Sequence, residues 1–473
     1  MRLLNKPMET PAALAVLGAG IVICILMVFP QIPIKFRYLA VVAAGFAVFH
    51  HQVHRAPGVR YIIVYTFFLS CVGLAVVNLT GDGSFSEALY GIRAMSLCVL
   101  VMIFATNVTL AGYTLLTSAV LFGGFVGMVI DTFRGPAWQK VPFPIFSEVQ
   151  LMIMGEKHMT SERFGGFTFE AGVIGGMSAI FILLNVAILL LGLFDRRLRL
   201  PSLFQIITLG GIVCGLGAIY LSKTKSGLLV LAAGLIAMAI VIIFVRRGVP
   251  FWLKLAIWGG ILGVVAVLPI GYRAVKNTGT GEYIEKEVQN FYLLFTRGFT
   301  RDEGGGLQTR IESMKIAVYS LPFRPTGGGH TNGYFYAKPS LKYVQPTTEM
   351  EWFHNQGRYN GYKGALFNLL GQGGLFSLWI LYVFSRCVGK GLIKSGAFGG
   401  AAIATLLITG ILVLGVTVEL LPYFELFMLM IGLAYIVDFQ LGGLGGLVDR
   451  VQLPRKALNK RPKSQPDDAV AMA

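Results

Sequence analysis

Apolar stretches of about twenty residues recur along the chain, each long enough to cross a hydrocarbon layer ~30 Å thick as a helix. On this pattern we read about twelve spans: 11–30, 37–50, 61–80, 93–109, 112–131, 171–193, 203–221, 227–245, 253–271, 364–385, 397–417 and 424–441. The second and fourth are short for a full crossing. The pattern stops twice, at 132–170 and at 272–363, where polar, aromatic and glycine residues mix without an apolar run. Irregular backbone is not tolerated against lipid, so both segments are expected to fold outside the bilayer and roof whatever the spans enclose. The predicted organisation is a bundle over 1–271 carrying spans 1–9 and the outer loop 132–170. A large outer loop with short helices follows at 272–363, then spans 10–12 within 364–441 and a basic, disordered tail at 442–473.

Composition agrees with this reading. Of 473 residues 55% are hydrophobic and 13% charged, with a mean hydropathy of +0.70, values that exclude a soluble domain and indicate an all-α polytopic membrane protein. The net charge of +17 does not mark a nucleic-acid binder, because the basic residues divide between loop ends and outer loops and form no compact basic domain. Their placement sets orientation instead. Segments 51–60, 195–202, 246–254, 386–396 and the tail after Gln440 fall on one side if the spans alternate, and they are rich in Lys and Arg. The positive-inside rule makes that side the cytoplasm, with both termini on it and the loops 132–170 and 272–363 facing outward. The twelve Lys and Arg of the longer outer loop do not oppose this, since long loops translocate largely regardless of charge. The first span ends in Phe29-Pro30-Gln31-Ile32-Pro33 without a small-residue cleavage site and is expected to be retained. The cysteines at 24, 71, 98, 214 and 387 lie in spans or at a cytoplasmic edge, so the outer loops are expected to hold together by packing and hydrogen bonds.

The outer side offers a definite chemistry. Neither long loop carries a phosphate-binding Gly loop, a His/Cys metal cluster or a DxD pair, so neither nucleotide nor metal is expected there, and no cofactor. Its scattered Arg and Lys suit a phosphate or pyrophosphate, whose charge develops as a bond to it breaks. An attacking hydroxyl needs a base, for which His330, His354, Glu170 and Glu419 are the available types.

Four local patterns sharpen this. Arg163-Phe164-Gly165-Gly166-Phe167-Thr168-Phe169-Glu170 puts a cation and a carboxylate before the sixth span; the two either serve a ligand or pair with each other. Leu221-Ser222-Lys223-Thr224-Lys225-Ser226-Gly227 is a short outer turn whose two lysines run against the positive-inside bias, and Lys225 opens a helix where its charge opposes the dipole, a conflict that either an anionic ligand or snorkelling to lipid headgroups relieves. Residues 310–319 read as an amphipathic helix with Ile311, Met314 and Val318 on one face and Arg310 elsewhere; Arg324-Pro325-Thr326-Gly327-Gly328-Gly329-His330 follows, its glycines allowing close backbone approach. Last comes Glu349-Met350-Glu351-Trp352-Phe353-His354-Asn355 with Tyr359-Asn360-Gly361-Tyr362, a composition suited to sugars, ahead of Gly371-Gln372-Gly373-Gly374 in the tenth span.

In order and placement these patterns resemble the O-antigen ligase and polymerase superfamily, over about 160–440. The resemblance implies a glycosyltransferase-C-like fold in the bacterial inner membrane, with the active site facing the periplasm. It implies metal-independent, inverting transfer of a glycan from undecaprenyl diphosphate to an acceptor glycan or lipid. On the same resemblance, Arg310 and Arg324 bind diphosphate or glycan with Arg163, Lys223, Lys225, Asn355 and Tyr362. His354, His330 and Glu170 are the candidates for catalysis; Lys225 stands where Arg is commoner in the family, and His354-Asn355 lies farther from Gly373 than the family spacing. The expected product is exopolysaccharide, capsule or O-antigen made by polymerising repeat units, and a chain-length regulator or export machinery is a candidate partner. A ligase loading O-antigen onto lipid A-core is the alternative within the family.

A lipid-linked-sugar flippase or secondary transporter is the alternative of another class. A long loop after span nine breaks the six-plus-six symmetry that a transporter would show, and the ionisable residues Glu170, Lys225, Arg273 and Glu419 sit at span ends.

Overall fold

The computed structural model describes residues 9–29, 34–49, 59–80, 90–134, 166, 171–194, 198–244, 305–329, 333–345, 347–348, 350–351, 368–380 and 382, with single positions between 251 and 296. Among the described residues the secondary structure is helical with no strand. The elements are α1 (Thr10–Val28), α2 (Ile34–Phe49), α3 (Val59–Thr80), α4 (Tyr90–Asn107), α5 (Leu110–Arg134), α6 (Ala171–Phe194), α7 (Ser202–Ser222) and α8 (Lys225–Phe244). The loop region contributes α9 (Gly305–Ser320), α10 (Gly333–Ala337) and the 3-10 helix η1 (Lys338–Tyr343), and the chain re-enters a helix, α11, at 368–380.

Helices α1 to α8 coincide with eight of the predicted apolar stretches, with ends within a few residues, and α11 falls inside the predicted stretch 364–385. Five helices among the described residues are long and apolar enough to cross a membrane, at Thr10–Val28, Tyr61–Thr80, Leu110–Phe133, Ile174–Leu193 and Ser202–Ser222. The chain is thus a mostly helical protein of the lipid bilayer. The span expected at 253–271, apart from Leu255, Trp258 and Gly259, those at 397–417 and 424–441, nearly all of the loop 132–170 and the tail lie outside the described residues.

Two groups of helices share the core. In the first, α1, α2 and α3 all pack on α4, and Leu97 to Ala105 of α4 is buried without a break. A helix apolar all round is stable only in such a position. In the second, α7 packs on α5 and α6, and α8 packs on α6; α1 links the groups through α5. Helices approach closely where one side chain is missing: a Cβ on Gly215 of α7 would meet Ile182 and Leu121 at 2.8 Å, and one on Gly211 would meet Ser118 at 3.1 Å. Lipid gives no hydrophobic incentive for helices to associate, so small residues and interhelical hydrogen bonds supply it. The bonds are present: buried Thr117 donates to Asn185 Oδ1 at 2.6 Å, and Asn185 Nδ2 donates to Ser118 at 3.4 Å.

α11 runs antiparallel along α3. Tyr65 and Ser377 share a buried hydroxyl–hydroxyl hydrogen bond of 2.5 Å. Phe376 lies 4.3 Å from Phe68 and stacks on Trp379 at 4.9 Å, between ring centroids.

Candidate functional site

The described part of the long loop folds as a small helical cap. Its apolar centre is Ile316, Ala317, Tyr336, Ala337 and Met350, joined by Leu370 of α11, so one end of the cap core belongs to that helix. Most of the buried side of α9 is polar: Gln308, Thr309, Glu312, Ser313 and Ser320 are buried with Ile316 and Ala317, at helical spacing. Hydrogen bonds internal to the cap hold this face. Thr309 bonds Thr347 at 3.0 Å, Ser320 bonds Ser340 at 2.6 Å, and Glu312 accepts from Lys315 at 2.7 Å and from the Gln345 amide at 3.2 Å. Tyr336 donates to the Ala317 carbonyl at 2.6 Å, and burial pushes its phenol up from its ordinary pKa. The apolar stripe read from the sequence lies on the side away from the cap core: Ile311 and Met314 are only half-buried and Val318 is exposed. Polar neighbours on η1 and at Thr347 select the polar face for the inside.

The cap hands the chain to the membrane through Arg324. At the end of α9 the Ser320 carbonyl accepts from both Phe323 and Arg324 amides, at 3.0 and 2.9 Å. This turns the chain back and sets Arg324 at a helix C-terminus, where the dipole favours a cation. The guanidinium carbon then lies over the Phe335 ring, 4.0 Å from its centroid, in a cation–π contact. Its Nε is buried and has no hydrogen-bond partner among the described residues.

Directly after Arg324 the stretch 325–329 inserts into α11. Gly328 donates to the Gly371 carbonyl at 2.7 Å, Gly329 donates to the Gln372 carbonyl at 2.9 Å, and Leu375 donates to the Pro325 carbonyl at 2.8 Å. Gly374 has φ +53°, so α11 opens there and the inserted loop satisfies the freed groups. Contact is too close for side chains: a Cβ on Gly329 (φ +80°) would lie 2.6 Å from the Gly73 Cα of α3, and one on Gly374 would overlap the Pro325 carbonyl. Two glycine-rich motifs, singled out separately in the sequence, form one joint.

A second constellation gathers the other two motifs. Gly166, from the 163–170 stretch, donates its amide to buried Asp131 of α5 at 3.0 Å. Beside it, the turn after α7 packs on the start of α6: a Cβ on Gly227 would meet the Gly175 carbonyl oxygen at 2.7 Å. Ser222 and Thr224 are buried and bond each other at 2.8 Å. Lys223, exposed between them, caps α7 in the left-handed conformation at φ 50° and ψ 31°. Such a backbone in a non-glycine residue is uncommon and is held here by the surrounding packing. Lys225 opens α8, as the sequence indicated.

Of the nominated residues, Arg310 on α9 is half-buried, and Arg324 and Lys223 are placed as above. Arg163, Glu170, His330, His354, Asn355 and Tyr362 lie outside the described residues, as does the side chain of Lys225. Among the described residues no group of three or more His, Cys, Asp or Glu side chains is arranged to hold a metal ion. Two residues of these sites were not nominated. Asp131 carried a signal, being the sole carboxylate of a long apolar span. Phe335 carried none, since a platform for Arg324 is not separable by sequence from an interfacial aromatic. No family model matches the chain, and no curated protein matches it either.

Proposed function

We propose that this chain is a glycosyltransferase of the bacterial inner membrane. It polymerises undecaprenyl-diphosphate-linked oligosaccharide repeat units into exopolysaccharide, capsule or O-antigen on the periplasmic side. The observation that carries the reading is Arg324: a guanidinium held over Phe335, with a buried Nε that has no hydrogen-bond partner among the described residues. A fixed planar cation with unused donor capacity suits a diphosphate oxygen, and it needs no reorganisation when the leaving group takes up charge.

In the proposed reaction an acceptor hydroxyl attacks the anomeric carbon of the lipid-linked glycan. The bond from that carbon to the diphosphate oxygen breaks with inversion, the hydroxyl proton passes to a base, and undecaprenyl diphosphate leaves. Arg324, with Arg310, takes the developing charge in place of a metal ion. Lys223 and Lys225, on a turn between the ends of two apolar helices, and Arg163 near Gly166 supply further cations for diphosphate. His354, His330 and Glu170 are the base candidates, and Asn355 with Tyr362 contacts sugar. No cofactor is required.

The decisive experiment compares a strain lacking this gene with its parent, analysing surface glycans and the glycans on extracted undecaprenyl diphosphate. Loss of long polymer with accumulation of single lipid-linked repeats at the outer face is the expected result. Full-length lipid-linked chains beside bare lipid A-core would replace polymerase by ligase. Repeats trapped on the cytoplasmic face would replace it by a flippase, and an unchanged profile would remove the glycosyl-transfer reading.

A further inference from the structure

Among the described residues nothing covers the outward flank of α9 at Val318 and Phe323, and the chemistry of the helix is inverted relative to a water-facing one. Ile311, Met314 and Val318 recur at helical spacing, and Pro322 and Phe323 extend the same apolar run past the helix end. Val318 is 52% exposed, Tyr319 44% and Phe323 53%, while the opposite face buries Thr309, Glu312, Ser313 and Ser320 in hydrogen bonds within the cap. A helix in water hides its apolar side and solvates its polar one. Here the polar side is consumed by the cap and the apolar side is left outside, the arrangement of a helix whose outer neighbour is lipid.

The position of this flank says which lipid surface it meets. A few residues beyond Phe323, Gly329 reaches the Gly73 Cα, about two turns or ~10 Å inside the end of α3 at Thr80. The chain therefore enters the span layer directly from the exposed run, and the backbone bonds of 325–329 to α11 fix its height. Lys315, 46% exposed beside Val318, has its ammonium paired with Glu312 at 2.7 Å, so its charge is neutralised within the cap and its stem adds apolar surface to the flank.

We infer that the Ile311–Phe323 flank of α9 lies in the interfacial layer of the bilayer, against the glycerol and upper acyl region of the phospholipids in the leaflet next to the cap. The inference does not depend on the glycosyl-transfer reading. Its consequence is that α9 holds Arg310 and Arg324 at headgroup depth, the level at which any lipid-linked anion presents its charge.

Nitroxide labels at Val318→Cys and Phe323→Cys test this, in full-length protein with its five native cysteines replaced and reconstituted in phosphatidylethanolamine/phosphatidylglycerol vesicles. Both sites are exposed and tolerate a label, and monodisperse elution before reconstitution checks folding. The expected result is several-fold greater collision with oxygen than with a water-soluble nickel chelate at both positions. Free access of the nickel chelate would place the flank in water and overturn the inference. Low access of both reagents would mean that protein covers it, which overturns it equally.

Discussion

Leu375 gives its amide proton to Pro325, at 2.8 Å, where an unbroken helix would give it to Gly371; the Gly371 carbonyl in turn accepts from Gly328 at 2.7 Å. One helix has exchanged part of its own ladder for bonds to a loop. The exchange costs little only if the loop is always present and no side chain intervenes, which is why glycines occupy 327–329, 371, 373 and 374. Gly374→Ala adds a Cβ against Pro325 at a left-handed backbone position, which alone costs roughly 1–2 kcal/mol. Gly18→Ala is the contrasting change, since a Cβ there meets nothing within 4 Å. We expect Gly374→Ala and Gly329→Ala to lower the melting temperature of detergent-purified protein by several degrees and Gly18→Ala to leave it unchanged. Equal melting of all three would show that the joint does not hold the cap.

Arg324→Ala and Arg310→Ala are expected to abolish long polymer while membrane levels of protein stay near normal. Arg324→Lys should recover little, because an ammonium reproduces neither the planar fork nor the stacking on Phe335. Phe335→Ala keeps the cation but frees it, and we expect a partial loss, about tenfold or less. Polymer length on gels with immunoblots for protein reads all four; normal product from both alanine variants at Arg324 and Arg310 would sink the diphosphate assignment.

Because guanidinium groups are proposed to take the charge on the leaving diphosphate, polymer synthesis in membranes washed with chelator should match the untreated rate. Inhibition by chelator that a divalent ion reverses would overturn the metal-free mechanism.

Tyr336 predicts an alkaline limit for the cap. Its folded-state pKa is raised above the ordinary value of 10.0 by burial, so the folded form holds a proton that the unfolded form loses first. Its contribution is complete below pH 10 and falls as pH rises beyond it. Hydrogen exchange of the α9 amides should accelerate above pH 10 beyond the intrinsic increase. Tyr336→Phe should cost about 1 kcal/mol through the lost bond to Ala317 and remove that alkaline component.

What was legible in the sequence follows from which forces are local. Helices α1 to α8 and α11 are announced by apolar runs alone, and five of them reach the length that a bilayer demands of a crossing helix. The helix at Arg310 was also legible, as were the individual glycine motifs. Their pairing was not, since nothing in 325–329 encodes that its acceptors lie at Gly371 and Gln372. Nor was the direction of α9: Ile311, Met314 and Val318 mark a face, and whether it meets protein or lipid depends on partners such as Ser340 and Thr347 that the helix does not contain. Asp131 was overlooked because a carboxylate near a span end reads as a boundary, whereas it is buried beneath Gly166.

The bond between Tyr65 and Ser377 joins positions 312 residues apart. At ~5–20 residues per second, a ribosome takes roughly 15 to 60 s to travel between them. Throughout that interval α3 sits in the membrane with the side that will hold Ser377 and Phe376 uncovered. The insertion machinery, lipid or an earlier helix must occupy that groove and then leave it, so α11 takes its place by displacement. Truncated chains ending before about residue 370 should therefore remain bound to insertion factors, and release should begin once α11 has cleared the ribosome.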